Sequence, residues 1–187
     1  MGKNMKSILH VATLCAVTLV YGLLAAFTAA EAADPVLFFS DLDWGPKSGW
    51  EGSSVRGAAV TIWGRNFGAT RGSSYVTVNG AQATDYAEWG AAGPARGLER
   101  ITFWLNSSCQ DGDGQITVTV GGVPSNPLPF KVMSGVIYFI APSGNNSNDG
   151  LYATSHGGSK GPFRDLYMFN PGTLSNGKNP SGDGQYI

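Results

Sequence analysis

Between residues 35 and 132 apolar and polar side chains alternate in short runs, each closed by a turn signal, and no stretch repeats with the period of a helix. Alternation with period two puts one set of side chains on each face of a strand. Such a segment buries a core only by stacking sheets. The runs are 36–39, 59–63, 75–78, 101–105, 116–120 and 128–132, with a weaker stretch over 86–89. Asn79-Gly80 and Gly121-Gly122 supply the left-handed backbone that tight hairpins need. In Gly64-Arg65-Asn66-Phe67-Gly68, the two glycines around an asparagine predict positive φ angles and a sharp corner that drops Phe67 into the core. Pro127 and Pro129 remove ladder donors, which predicts a sheet edge for the last strand.

The first 32 residues have a different pattern. Lys3 and Lys6 precede an apolar run from Ile8 to Phe27, and Ala30 and Ala32 close it with the spacing a signal peptidase accepts. The expectation is an exported protein cleaved after Ala32, at the cell surface or outside the cell, with no membrane association once the leader is gone. An uncleaved anchor is the alternative, because the run is about long enough to cross a bilayer. Cys15 lacks the small preceding residue of a lipid-attachment cysteine.

Of 12 Lys and Arg and 13 Asp and Glu, the leader takes Lys3, Lys6 and Glu31, leaving a net charge near −2 and no basic cluster. Nucleic acid, whose binding rests on phosphate neutralisation, is therefore not an expected partner. Cys109 is then the one cysteine left. With no intrachain disulfide, the apolar core must hold the domain together, and Cys109 is expected inside it.

The strings Val60-Thr61-Ile62-Trp63-Gly64-Arg65-Asn66-Phe67-Gly68 and Val76-Thr77-Val78-Asn79-Gly80 resemble the IPT/TIG family of immunoglobulin-like domains. The strings Gly114-Gln115-Ile116-Thr117-Val118-Thr119-Val120-Gly121-Gly122 and Ser125-Asn126-Pro127-Leu128-Pro129-Phe130 fit the same family. The resemblance covers residues 35–132, apart from a long Gly/Ala-rich loop between Trp89 and Arg100. It implies an immunoglobulin-like β-sandwich without a disulfide and implies no chemistry, since such domains serve as spacers, adhesive modules and appendages of carbohydrate enzymes.

Beyond Ser134 the order is a β run (136–140), then Pro142-Ser143-Gly144-Asn145, Asn148-Asp149-Gly150 and Gly161-Pro162-Phe163. This order is similar to the start of right-handed parallel β-helices of the pectate-lyase-like superfamily, in which a Pro-Phe commonly opens a capping helix. Here Tyr167-Met168-Phe169-Asn170-Pro171-Gly172 breaks off instead. Residues 134–187 hold too few apolar side chains for an independent domain and end in a strand-like Gln185-Tyr186-Ile187. The expected fold is thus all-β, an immunoglobulin-like sandwich followed by the first turn of a parallel β-helix. A disordered Gly/Ser/Asn tail is the alternative for 134–187.

Catalytic constellations are absent. His156, in a polar loop beside Gly157, is the single histidine after the leader, and no phosphate-cradling motif occurs. Asp41 and Asp43 read as solvated loop residues. Asn145, Ser147 and Asp149, followed by Gly150, place oxygens at alternate positions as calcium loops do, but His156 stands where an EF-hand needs a bidentate Glu. Asx-type turns are the alternative there and at Asp111-Gly112-Asp113-Gly114, and no other cofactor is expected.

The aromatics are more informative. Trp63 and Trp104 fall on the phase opposite Val60/Ile62 and Ile101/Phe103/Leu105. If their strands pair antiparallel, the two indoles are expected as diagonal neighbours on the outer face. They would form a sugar-stacking platform or a surface covered by the following domain, unless a local loop covers one.

Two functions follow. One is a non-catalytic accessory module of a secreted polysaccharide-processing, pectate-lyase-like protein, with any lyase or hydrolase site beyond residue 187. The other is an adhesive or structural cell-surface protein without enzymatic activity. The expected partners are a polysaccharide or cell-surface glycan and the β-helix of the same chain.

Overall fold

The computed structural model describes residues 33–93 and 97–169. The expected leader (1–32), the tip of the Gly/Ala loop (94–96) and the strand-like end (170–187) lie outside the described residues.

The fold is all-β. Among the described residues, ten strands run in the order β1 (Val36–Ser40), β2 (Trp44–Pro46), β3 (Arg56–Arg65), β4 (Tyr75–Val78), β5 (Ala81–Gln82), β6 (Tyr86–Ala92), β7 (Glu99–Asn106), β8 (Gly112–Val120), β9 (Val123–Pro124) and β10 (Leu128–Met133). They form an antiparallel sheet of order β1-β3-β7-β6 and a second of order β2-β10-β8-β4-β5, with β9 also paired to β8. One apolar cluster joins the inward faces of both sheets. Val60, Ile62, Ile101 and Phe103 from the first meet Val76, Ile116 and Val118 from the second, all completely buried. Burying each such side chain contributes about 1.5–3 kcal/mol. Cys109 lies in the same cluster, and burial pushes its thiol pKa up.

The corner after β3 shows how sequence becomes shape. Asn66 and Gly68 take positive φ of 63° and 79°. Phe67 between them is completely buried, and its ring lies over Gly64. Gly64 itself is an extended strand residue; its role is space, because a Cβ there would overlap the Val36 carbonyl and the Phe67 ring. The Glu99 carboxylate accepts the Phe67 and Gly68 N–H groups at 2.6 and 3.1 Å, and the Trp89 indole donates to the Phe67 carbonyl.

The Asn79-Gly80 hairpin joins β4 to β5 with φ of 44° and 82°. The Asn79 side chain reaches across to the start of β8, donating to the Gly112 carbonyl and accepting from the Gln115 N–H. β2, β5 and β9 are too short to show in an alternation pattern.

The last strand corrects an expectation. β10 is not at an edge; it lies between β8, antiparallel, and β2, parallel. The Lys131 N–H donates to the Asp43 carbonyl beside β2, so the Pro129 nitrogen, two residues earlier, faces the same side. β2 pairs only with residues 131–133, so Pro129 forfeits no ladder bond although its strand is internal.

Residues 135–169 belong to the same compact unit as the sheets. Ile137 is in the core cluster, and Phe139 packs against it. Ile140 and Phe163 form a parallel bridge, with the Phe163 N–H donating to Phe139 and the Ala141 N–H to Phe163. The loop between them is held by its asparagines: Asn148 donates to the Pro162 carbonyl, and Asn146 accepts from the Arg164 N–H and donates to Asp165. A 3-10 turn, Leu166–Phe169, follows Gly-Pro-Phe at the end of the described residues.

Candidate functional site

The outer face of β3 and β7 carries both candidate tryptophans, opposite the buried set. Its successive rungs are Ala59–Trp104, Thr61–Thr102 and Trp63–Arg100. The Thr61 and Thr102 hydroxyls bond at 3.1 Å between the two indoles. Trp63 and Trp104 are therefore two rungs apart, about 13 Å along the strands, and not the diagonal neighbours expected. A single platform made of both rings does not form.

Each indole has its own surroundings. Trp63 stacks on Phe39 with ring centres 5.0 Å apart and 17° between planes. A bulge between Leu37 and Phe39 shifts the β1 register, so Leu37 is buried while both Phe38 and Phe39 stay 46% exposed. Trp104 lies beneath the Arg56 guanidinium, 4.6 Å from the ring centre, a cation–π arrangement. Its neighbour Trp50, in the 3-10 turn Trp50–Gly52, meets it edge-on at 6.0 Å and meets Phe139 edge-on at 5.4 Å. Trp104 is thus covered by a local loop that in turn seats the segment after Ser134. Among the described residues, the indole N–H groups of Trp63 and Trp104 are buried without a hydrogen-bond partner.

Beside Trp104 opens a cleft of about 490 Å³. Its walls are the approach to β3 (Ser53, Val55, Arg56), the connection from β5 to β6 (Gln82, Thr84, Asp85) and the end of β7 from Trp104 to Ser108. Arg56 and Asp85 form an ion pair across it. Arg56, Asp85 and Trp50 were not singled out from sequence. They sit at strand ends and in a loop, where no periodicity marks a residue, and only the β3–β7 register brings Arg56 and Trp104 together.

The calcium-like residues are turn formers. Asn145 accepts the Ser147 N–H at 2.9 Å, and Asp149 accepts the Leu151 and Gly161 N–H groups at 3.1 and 3.2 Å. These bonds turn the Oδ1 atoms of Asn145 and Asp149 to the backbone, as Asx-type turns do. Among the described residues, no group of three or more His, Cys, Asp or Glu side chains is placed to hold a metal. His156 is exposed, with its ring 4.5 Å from that of Tyr152. Asp41 binds the Thr61 N–H, and Asp111 pairs with Lys47 at 3.0 Å.

The geometry defines a two-sheet all-β protein with an aromatic outer face and a charge-paired cleft. No protein-family model matches the chain, and neither does any curated protein. Among solved structures it is similar to a structural genomics protein of unknown function from Bacteroides thetaiotaomicron, with 16% identity and a TM-score of 0.37, over 62% of this chain and 27% of that one. It is also similar to an auxiliary nutrient binding protein from Bacteroides ovatus, with 17% identity and a TM-score of 0.37, over 58% of this chain and 24% of that one. The chain thus spans about a quarter of the length of each of these two.

Proposed function

We propose that this chain is the non-catalytic front of an exported polysaccharide-processing protein. Residues 1–32 act as a signal peptide, residues 35–132 as an IPT/TIG-type immunoglobulin-like module, and residues 134–187 open a pectate-lyase-like parallel β-helix. Any active site lies beyond residue 187.

The observation that carries this reading is the parallel bridge between Ile140 and Phe163, seated on the sheets through Phe139 and Trp50. Parallel strands need a long crossover, usually a helix. Here the crossover is a polar Asn/Ser/Gly loop with backbone bonds of its own, the form expected of one coil of a solenoid. The cleft beside Trp104 favours carbohydrate over other partners, because it combines an aromatic wall with hydroxyl and amide side chains. The exposed Phe38 and Phe39 favour the second reading, an adhesive surface.

Depletion from solution by a panel of insoluble polysaccharides tests the proposal. Retention on at least one polysaccharide, without release of reducing ends or unsaturated products, is expected. Retention only on protein-coated surfaces would favour adhesion and overturn the carbohydrate assignment.

A further inference from the structure

We infer that the cleft beside Trp104 is a binding site for a neutral oligosaccharide, contacted by Arg56, Asp85, Thr84, Gln82 and Ser108. The inference rests on the carbohydrate reading above and assigns it to named residues.

The site is built before any ligand arrives. Three hydrogen bonds cross-link its walls: the Asn106 side chain donates to the Gln82 carbonyl at 2.9 Å, the Ser107 N–H donates to the Val55 carbonyl at 3.2 Å, and the Trp104 N–H donates to the Asp85 carbonyl at 3.1 Å. Asn106 also accepts the Ser108 N–H, so its amide is spent on the wall and is not a ligand contact. Arg56 is held twice, by the Asp85 carboxylate and by the face of Trp104. A preformed wall and a restrained guanidinium lower the ordering cost of binding. The volume of about 490 Å³ lies in the range of small-molecule sites, about 300–1,000 Å³.

The chemistry selects the ligand. Val55 is 64% exposed and offers apolar surface for the C–H face of a sugar ring, while Trp104 fixes the Arg56 guanidinium. Gln82, Thr84, Ser107 and Ser108 are exposed polar side chains on the rim. Among the described residues, Arg56 and Asp85 are the only charged ones lining the cleft, and their charges cancel. A guanidinium has five N–H donors and a carboxylate about four lone-pair sites, so one ion pair leaves capacity on both. Adjacent donors and acceptors match vicinal hydroxyls, each of which both donates and accepts. The paired charges leave no net charge to offset the desolvation of an anionic or a cationic ligand. Uronate chains are therefore disfavoured even though the proposed β-helix resembles pectate lyases.

The test is a titration of the intact chain, followed by tryptophan fluorescence and calorimetry, with cellohexaose, xylohexaose, mannohexaose and hexagalacturonate. Saturable binding of at least one neutral hexasaccharide is expected, with hexagalacturonate weaker by about ten-fold or more, the equivalent of one hydrogen bond to a charged group. Arg56→Ala should weaken binding by a similar factor. Because that change also removes a contact to Trp104, Thr84→Arg serves as the second variant: Thr84 is exposed at the rim, and a long side chain there fills the cleft with the melting temperature unchanged. Failure of all three neutral sugars to bind, or equal binding by Thr84→Arg, overturns the site. Tighter binding of hexagalacturonate overturns its neutral specificity. If the intact chain and both variants bind insoluble polysaccharide alike, this site falls while the carbohydrate reading stands.

Discussion

Asn126 pairs with Leu37 as a neighbouring strand would: its side-chain Nδ2 donates to the Leu37 carbonyl at 2.9 Å, and its Oδ1 accepts the Leu37 N–H at 2.8 Å. Leu37 lies on β1, the edge of its sheet, whereas Asn126 leads into β10 of the other sheet. One carboxamide therefore ties the two sheets together and occupies backbone groups that would otherwise template another chain.

Asn126→Ala is expected to destabilise the protein by about 1–3 kcal/mol, since it leaves a half-buried N–H and C=O unpaired. Urea denaturation gives the value. Light scattering should rise in parallel as the β1 edge opens, and a variant with unchanged midpoint and scattering would remove the clasp from the account.

Trp50 is the seat of the segment after Ser134. Trp50→Ala removes two edge-to-face contacts, each contributing about 0.5–1.5 kcal/mol. Hydrogen exchange should accelerate over residues 137–163 while Val60, Ile62, Ile101 and Phe103 keep their protection. Unchanged exchange in 137–163 would mean that Ile137 and Phe139 anchor the segment on the core cluster without Trp50.

Glu99 holds the corner after β3 through two backbone N–H groups. Glu99→Ala should cost about 1.5–3 kcal/mol, as the loss of charge-assisted bonds does. Glu99→Gln keeps an acceptor oxygen and should cost less. Equal losses in a denaturation series would show that the negative charge, and not the acceptor, matters at Phe67.

Asp111 introduces a pH dependence. The hydrogen bond from Lys47 holds its carboxyl below the usual carboxylate range, with a further bond from the Ser134 hydroxyl acting the same way and desolvation opposing them. A depressed folded pKa means that the contribution is complete above the unfolded value and is lost as pH falls through the folded one. Asp111→Asn should therefore lower stability at neutral pH and converge with the native protein in acid. A gap that persists below the carboxylate range would assign the effect to packing.

What could be read along the chain was whatever depends on near neighbours. Period two in Val60-Thr61-Ile62 and Ile101-Thr102-Phe103 sets which side chains face inward, because successive Cβ atoms point to opposite faces whatever the partner strand is. Asn79-Gly80 and Asn66-Phe67-Gly68 mark turns, because positive φ is a property of single residues. An all-β chain with Phe67 inside follows from those two facts.

The site depended on longer range. Which rung carries Trp63 and which carries Trp104 is set by the β3–β7 register, and that register answers to the packing of a whole face. Whether Pro129 marks an edge depends on how far β2 extends, not on proline's own geometry. The pairing of Arg56 with Asp85 over Trp104 joins three strand ends that no local pattern relates. Local sterics decided the faces and the turns; the tertiary structure alone decided which faces meet, because long-range pairing is resolved only when the core as a whole is filled.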